Sequence, residues 1–298
     1  MEEKMKSPTL LDGKRLSESL REQIKGEVDR YTQSGYRKPG LAVILVGNDP
    51  ASEVYVRNKI KACQKVGINS FFYKLAEDTL TEELLELIAE LNLREDVDGI
   101  LVQLPLPPQI DQREVILAIS PDKDVDGFHP HNMGLLVAQR EDGFIPCTPL
   151  GIDLLLKHYN IGTKGRDIVI VGAGFIVGRP LSLLMLWREA TVTICHIHTK
   201  DIRKHTSQAD ILISATGVPG LIKEDMVREG AVVIDVGISK VEGKIVGDVD
   251  FEGVRDKVSA ITPVPGGVGP MTVTGLLLNT LKAYKRRIKS HSTSTIKP

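Results

Sequence analysis

What the chain lacks narrows its function first. Charge of one sign is missing: 38 Lys and Arg stand against 39 Asp and Glu among 298 residues, a formal net charge of −1. Without a basic excess or a long basic block, the chain has no electrostatic footprint for a phosphate polymer, so nucleic acid is not an expected partner. Cysteine is scarce. Cys63, Cys147 and Cys195 lie far apart and form no CxxC pair, which gives neither a disulfide framework nor a thiolate metal site and fits a reducing compartment. Long hydrophobic runs are absent too, the longest aliphatic one being Leu41 to Val46. That is far short of the roughly 20 residues that span a bilayer, and the opening stretch MEEKMKSPTLLDGKRL has no apolar h-region. A cytoplasmic protein with no membrane partner is expected.

What is present is alternation. LAVILV (41–46), SFFYKL (70–75) and GILVQL (99–104) read as strands, and 52–66 and 81–93 have helical spacing. The pattern builds an α/β layer of parallel strands. A proline-rich run, Leu104 to Pro108, stops the third strand, and the turn-forming loop PDKDVDGFHPHN (121–132) places a boundary nearby. A second alternation starts with a helix over 148–159, with Thr148 as cap and Pro149 at its first position. DIVIVGAG, TVTICHI, DILISATG and AVVIDVG follow as strands, the rhythm of a doubly wound sheet. The last apolar helix, 271–284, is expected to pack back on the first domain, leaving the basic tail after Lys285 frayed.

Strand 168–171 runs directly into Gly172-Ala173-Gly174-Phe175-Ile176-Val177-Gly178 and then an apolar helix. Glycines there let the backbone turn tightly and let a pyrophosphate approach the amides at a helix start; a plain strand-to-helix turn collects glycine as well. The GxGxxxG spacing is one residue longer than the usual dinucleotide fingerprint. An acid that binds the ribose hydroxyls of NAD is expected about 20 residues on. This strand instead ends Cys195-His196-Ile197-His198-Thr199-Lys200, with no carboxylate before Asp201, which favours NADP and leaves NAD as the alternative. Two His-x-His pairs, His129/His131 and His196/His198, have metal-ligand spacing but no third ligand near them in sequence, so ordinary hydrogen-bonded loop histidines are the stronger expectation and no metal is assigned.

Tyr55 and Lys59 are four apart, so both project from one helix face. For the pair taken alone, an amphipathic helix with Lys59 snorkelling to water is the stronger expectation. Gln103 ends the third strand, at the carboxyl edge where open α/β sheets bind ligands, and Asp126 in DVDG fits a simple turn former too. Pro265-Gly266-Gly267-Val268-Gly269 suits either close backbone approach to a ligand or a rigid turn before the last helix.

Taken together, SEVYVRNKIKAC, DGILVQLPLP, PDKDVDGFHPHN, PCTPLGI, IVGRP and ITPVPGGVGPMT closely resemble the bifunctional methylenetetrahydrofolate dehydrogenase/methenyltetrahydrofolate cyclohydrolase family over nearly the whole chain. The resemblance implies two α/β domains. A substrate domain over 1–147 is completed by helix 272–298, and a Rossmann-like NAD(P) domain covers 148–271. It implies oxidation of 5,10-methylenetetrahydrofolate by NADP and then hydrolysis to 10-formyltetrahydrofolate, by a homodimer. It places the family's lysine at Lys59, tyrosine at Tyr55, glutamine at Gln103 and pterin-binding carboxylate at Asp126, with Val102, Leu104 and the Pro265 to Gly269 loop as further substrate contacts. Gly172, Ala173, Gly174, Ile197 and Ile238 match its cofactor contacts. The chain departs where many members carry Arg-Ser and this one has Ala173-Gly174, and at Ile197, where a polar or basic contact is usual; both remove ligands for a 2′-phosphate. A shikimate- or amino-acid-dehydrogenase-like enzyme shares the substrate-first order but leaves the VQLPLP and PVPGGVGPMT blocks unexplained, and a non-catalytic dinucleotide sensor has no use for Tyr55, Lys59, Gln103 and Asp126 together.

Overall fold

The computed structural model describes residues 7–294; the first six residues and the last four lie outside it. The described chain gathers into two compact units, one of Ser19–Cys147 with the chain from Val273 on, the other of the chain up to Glu18 with Thr148–Thr272.

After β1 (Thr9–Leu10), which lies in the other unit, α1 (Gly13–Gln33) leads into the first unit, named the folate unit after the resemblance above. Its sheet is parallel, in the order β3 (Asn69–Leu75), β2 (Gly40–Val46), β4 (Gly99–Val102). All seven β2 residues are buried, because helices cover both faces of the strand. Leu41, Val43 and Leu45 meet α1, α2 (Pro50–Val66) and α10 (Val268–Ser294) on one side, while Ala42, Ile44 and Val46 meet α3 (Thr81–Leu93) and α4 (Gln112–Ala118) on the other. α2 starts earlier than the apolar spacing suggests. Asp49 accepts the Ser52 N–H at 2.8 Å and Pro50 takes the first turn, so the Asp-Pro pair sets the start. After α5 (Pro130–Val137) the chain leaves this unit at Cys147.

The nucleotide unit holds α6 (Cys147–His158), β5 (Asp167–Val171), α7 (Gly178–Trp187), β6 (Thr191–Cys195), α8 (Ile202–Thr206), β7 (Ile211–Ser214), β8 (Val232–Asp235), the hairpin β9 (Ser239–Val241) and β10 (Lys244–Val246), α9 (Phe251–Val254) and β11 (Ala260–Ile261). Six strands pair in the order β1-β11-β8-β7-β5-β6, every neighbour parallel. The order reverses between β5 and β7, the switch point of a doubly wound sheet.

The division by sequence put residues 1–147 in the first domain; within them, Thr9–Leu10 pairs in parallel with Ala260–Ile261 and extends the nucleotide sheet. Two residues are too few to show strand periodicity. The tail after Lys285 is helical to Ser294 rather than frayed. Lys285 pairs with Glu27, Arg286 donates to Asp142 O and Arg287 donates to Val97 O, so side chains distant in sequence hold the helix. The helix does return as expected. Val273, Leu276, Leu277, Leu281 and Tyr284 lie in the folate unit's core.

Candidate active site

Lys59 occupies a core-facing position of α2, in register with Ser52, Val56, Cys63 and Val66. A lysine inside an apolar stripe is the sequence signal that sets it apart from a surface cation. It does not snorkel. The residue is 9% exposed, and Nζ donates to Gln103 Oε1 at 2.9 Å. Gln103 sits one residue past β4, where its N–H donates to Ile44 O at 2.9 Å. Its Nε2 donates to Leu104 O at 2.6 Å, and spending the amide hydrogens there turns the carbonyl oxygen toward Lys59. Val102, the last residue of β4, is buried just before it. Tyr55, one turn before Lys59, is 37% exposed, and burial of its ring pushes the phenol above its ordinary value, so it stays protonated.

Asp126 is part-buried, and burial raises its carboxyl above the ordinary range while the charge of Lys59 and a hydrogen bond from Cys147 pull it down. The structure therefore brings Lys59, Gln103 and Asp126 together within the folate unit: an amine, a neutral amide and a carboxyl, with a phenol beside them. That set can bind a polar heterocycle and move a proton without a metal. Among the described residues no cluster of His, Cys, Asp or Glu suits a metal ion.

The loop carrying Asp126 is held by residues that sequence reasoning passed over. Asp124 accepts the N–H groups of Gly127, Phe128 and His129 and the Asn132 Nδ2, at 2.8 to 3.2 Å. Burial pushes this carboxyl up to about 6 against those donors. From α10, Asn279 donates to Val125 O at 2.8 Å and Ile145 O at 2.9 Å. The three aspartates of PDKDVDG were the available signal for Asp124; nothing in sequence announced Asn279.

In the nucleotide unit the site is backbone. Gly172 has φ +109°, and a Cβ there would lie 2.2 Å from Ala215 O. A Cβ on Gly178 would lie 1.8 Å from Gly172 O, so the loop closes on itself before α7, while Gly174 faces open space. Arg179 Nε donates to Ala173 O at 3.0 Å. This cradle at a helix start fits a pyrophosphate. The turn after β6 presents Ile197, 93% exposed, at its tip. Both His-x-His pairs are turns: His129 Nδ1 accepts the His131 N–H at 3.0 Å, and His196 Nδ1 accepts that of His198 at 3.1 Å.

The Pro265 to Gly269 loop also belongs to this unit. Gly266 O accepts the Lys14 N–H at 2.8 Å, Gly267 N donates to Pro263 O at 2.8 Å, and Val268 is buried. Gly269 faces Ile238, whose Cδ1 lies 3.5 Å from the position of a Cβ. Ile238 itself is 44% exposed after β8.

A glycine cradle at a parallel switch point, in one chain with a separate unit holding a buried amine and carboxyl, defines a two-domain dinucleotide enzyme. Comparison makes the class particular. Residues 11–126 match the tetrahydrofolate dehydrogenase/cyclohydrolase catalytic domain, and residues 146–288 match the NAD(P)-binding domain of the same family. The chain belongs to that family. It is 73% identical over 289 residues to the bifunctional protein FolD of Aquifex aeolicus, covering 97% of this chain and 99% of that one. Among solved structures, the bifunctional FolD methylenetetrahydrofolate dehydrogenase/cyclohydrolase of Campylobacter jejuni is 53% identical with a TM-score of 0.93, over 94% of this chain and all (100%) of that one. The Trypanosoma brucei methylenetetrahydrofolate dehydrogenase-cyclohydrolase, complexed with NADP and an inhibitor, is 37% identical with a TM-score of 0.91, over 95% and 99% of the two chains.

Proposed function

We propose that this chain oxidises 5,10-methylenetetrahydrofolate with NADP and hydrolyses the methenyl product to 10-formyltetrahydrofolate. The observation that carries the reading is the buried Lys59 ammonium ending on Gln103 Oε1 at 2.9 Å, in the same unit as Asp126. Asp126 accepts hydrogen bonds from the pterin amino and ring N–H groups. Tyr55 flanks the pterin and orients Lys59, and Val102 and Leu104 line the same strand end.

The nicotinamide, when bound, takes the hydride from a carbon held between two nitrogens. The carbocation left behind is resonance-stabilised, so the protein's part is to position the two molecules rather than to supply a strong base. Gly172, Ala173 and Gly174 would hold the pyrophosphate, Ile238 would contact the dinucleotide, and the Pro265 to Gly269 loop would supply further substrate contacts. In the second step water adds to the cationic carbon. Lys59 takes one proton from the attacking water and returns it to the ring nitrogen as its bond to that carbon breaks, and the hydroxyl left on the carbon releases its own proton to solvent as it becomes the formyl carbonyl. Gln103 holds the amine without a negative charge, and a carboxylate in its place would favour the ammonium.

NADP rather than NAD is supported by the end of β6, where no carboxylate precedes Asp201 and Asp201 itself caps α8 by accepting the Lys204 N–H at 3.3 Å. All three cysteines are free and buried, in keeping with a reducing cytoplasmic compartment, and among the described residues no helix is long and apolar enough to cross a membrane; the homodimer is what the family resemblance implies. The test is spectrophotometric: cofactor reduction with methylenetetrahydrofolate and either dinucleotide, followed by decay of the methenyl absorbance. Reduction with a higher kcat/KM for NADP is expected. A large preference for NAD overturns the cofactor assignment, and no reduction with either overturns the reading.

A further inference from the structure

Two buried aspartates in the nucleotide unit take no part in the chemistry above. Asp235 ends β8 and Asp248 follows β10, so they bracket the excursion that carries Ile238 and the β9–β10 hairpin. Asp235 is 4% exposed and Asp248 is fully buried (0%). Asp235 Oδ1 accepts the N–H groups of Gly237 and Asp248, both at 3.0 Å, and its Oδ2 accepts that of Val249 at 2.9 Å. Asp248 reaches the neighbouring strand instead. Its Oδ2 accepts from Ser214 Oγ at 2.9 Å, Thr216 N–H at 2.6 Å and Thr216 Oγ1 at 2.9 Å.

The fit is reciprocal and tight. A Cβ on Gly247 would lie 1.9 Å from Asp235 Oδ2, and a Cβ on Gly237 would lie 2.0 Å from Asp248 Oδ1. Asp248 Oδ1 is buried with no hydrogen-bond partner among the described residues. One oxygen thus gathers three donors from the end of β7, and the other is pressed against the Gly237 backbone, one residue before Ile238. A buried carboxylate oxygen without a donor is costly and persists only where surrounding structure demands it.

These contacts converge on the strand edge. Gly217 O, in the turn after β7, accepts from Ser239 Oγ at 3.1 Å, and Ala215 O is the atom that packs against Gly172 of the cradle. Asp248 therefore joins the turn after β7 to the turn after β8, and the first of these abuts the glycine loop. In a doubly wound sheet the two halves of a dinucleotide lie on either side of the switch point. The cradle and β6 take the adenosine side, which leaves the turns after β7 and β8 to the nicotinamide side.

We propose that Asp248 is a positioning residue for the nicotinamide half of the dinucleotide, acting through Thr216 and the Gly237–Ile238 turn. The assignment rests on the dehydrogenase reading above. Asp248→Ala strands three donors. Gly237→Ala drives a methyl into Oδ1 and leaves the carboxylate in place. Asp248→Asn can keep its oxygen on the three donors and set its amide at the donor-free position.

The full chain is assayed for the NADP dissociation constant, for dehydrogenase kcat, and for hydrolysis of methenyltetrahydrofolate without dinucleotide. Asp248→Ala and Gly237→Ala are expected to weaken NADP binding about tenfold or more and to lower dehydrogenase kcat, with hydrolysis within about twofold of wild type. Asp248→Asn is expected to stay within about threefold of wild type throughout. Wild-type NADP affinity and kcat in Asp248→Ala would overturn the proposal, as would hydrolysis falling in step with the dehydrogenase, the mark of a general folding role. A wild-type chain that binds NADP without reducing it would refute the dehydrogenase reading instead, and the dissociation constants would still judge Asp248.

Discussion

In the folate unit the candidate site is made of side chains, and in the nucleotide unit it is made of backbone. Lys59, Gln103 and Asp126 come from a helix, a strand end and a loop, and each is oriented by a further partner: the α2 stripe for Lys59, Leu104 O for Gln103, and Asp124 with Asn279 for the loop of Asp126. Across the chain, Gly172, Gly178 and Gly237 work by having no side chain, because a Cβ at any of them would strike a neighbouring atom. A side-chain site can be tuned by exchanging one group for another. A backbone site tolerates almost no substitution at its glycines, and its tuning passes to the buried groups behind them, such as Asp248.

Substitutions can break that comparison. The largest effect is expected from Tyr284→Ala, since Tyr284 is fully buried (0%), donates to Arg37 O at 2.7 Å and meets the Tyr31 ring edge-on at 5.6 Å. Loss of about 3–5 kcal/mol of stability in urea denaturation follows from emptying such a site. If the variant lost less than about 1 kcal/mol, α10 would not be what completes the folate core. Gly172→Ala comes next. Its φ of +109° and the approach of Ala215 O should cost about 1–3 kcal/mol and abolish measurable dinucleotide affinity, while methenyltetrahydrofolate hydrolysis persists. Hydrolysis and binding lost together would show that the two sites are not separable.

The smallest effect sharpens the folate side through pH. Burial raises Asp124 to about 6 in the folded chain, against an ordinary 3.8, so between about pH 4 and 6 the folded state holds a proton that the unfolded state has released. The contribution of this group to stability therefore falls as pH rises through that window and is constant above it. Asp124→Asn removes the titration. The stability of wild type relative to the variant should fall from about pH 4 to 6, and a pH-independent difference in urea midpoints would contradict the burial argument.

Much of this architecture was readable from the amino acids, and the remainder was not for physical reasons. β2, β5, β7 and β8 stand out because both faces are buried and every residue in them is apolar or nearly so. Gln103 falls outside β4, although the apolar run continues past it, because the prolines that follow Leu104 have no N–H with which to extend the ladder. α2 begins at Pro50 on a cap signal, Asp49-Pro50, that was present and passed over in favour of periodicity. The α10 tail and β1 were illegible locally, since a long-range pairing stabilises each. Lys59 was visible as half of a Tyr-Lys pair, but its bond to Gln103, 44 positions away, is a tertiary fact. Asp248 carried no signal at all, because its importance lies in the glycine it touches.

The proposed hydrolysis depends most directly on Lys59, and the measurement that tests it is hydrolysis of methenyltetrahydrofolate by Lys59→Met, with NADP affinity measured on the same preparation. Hydrolysis reduced by about 100-fold or more, with the NADP dissociation constant unchanged, is the predicted result. Hydrolysis within about threefold of wild type would contradict it, and the amine beside Gln103 would then have to be read as structural.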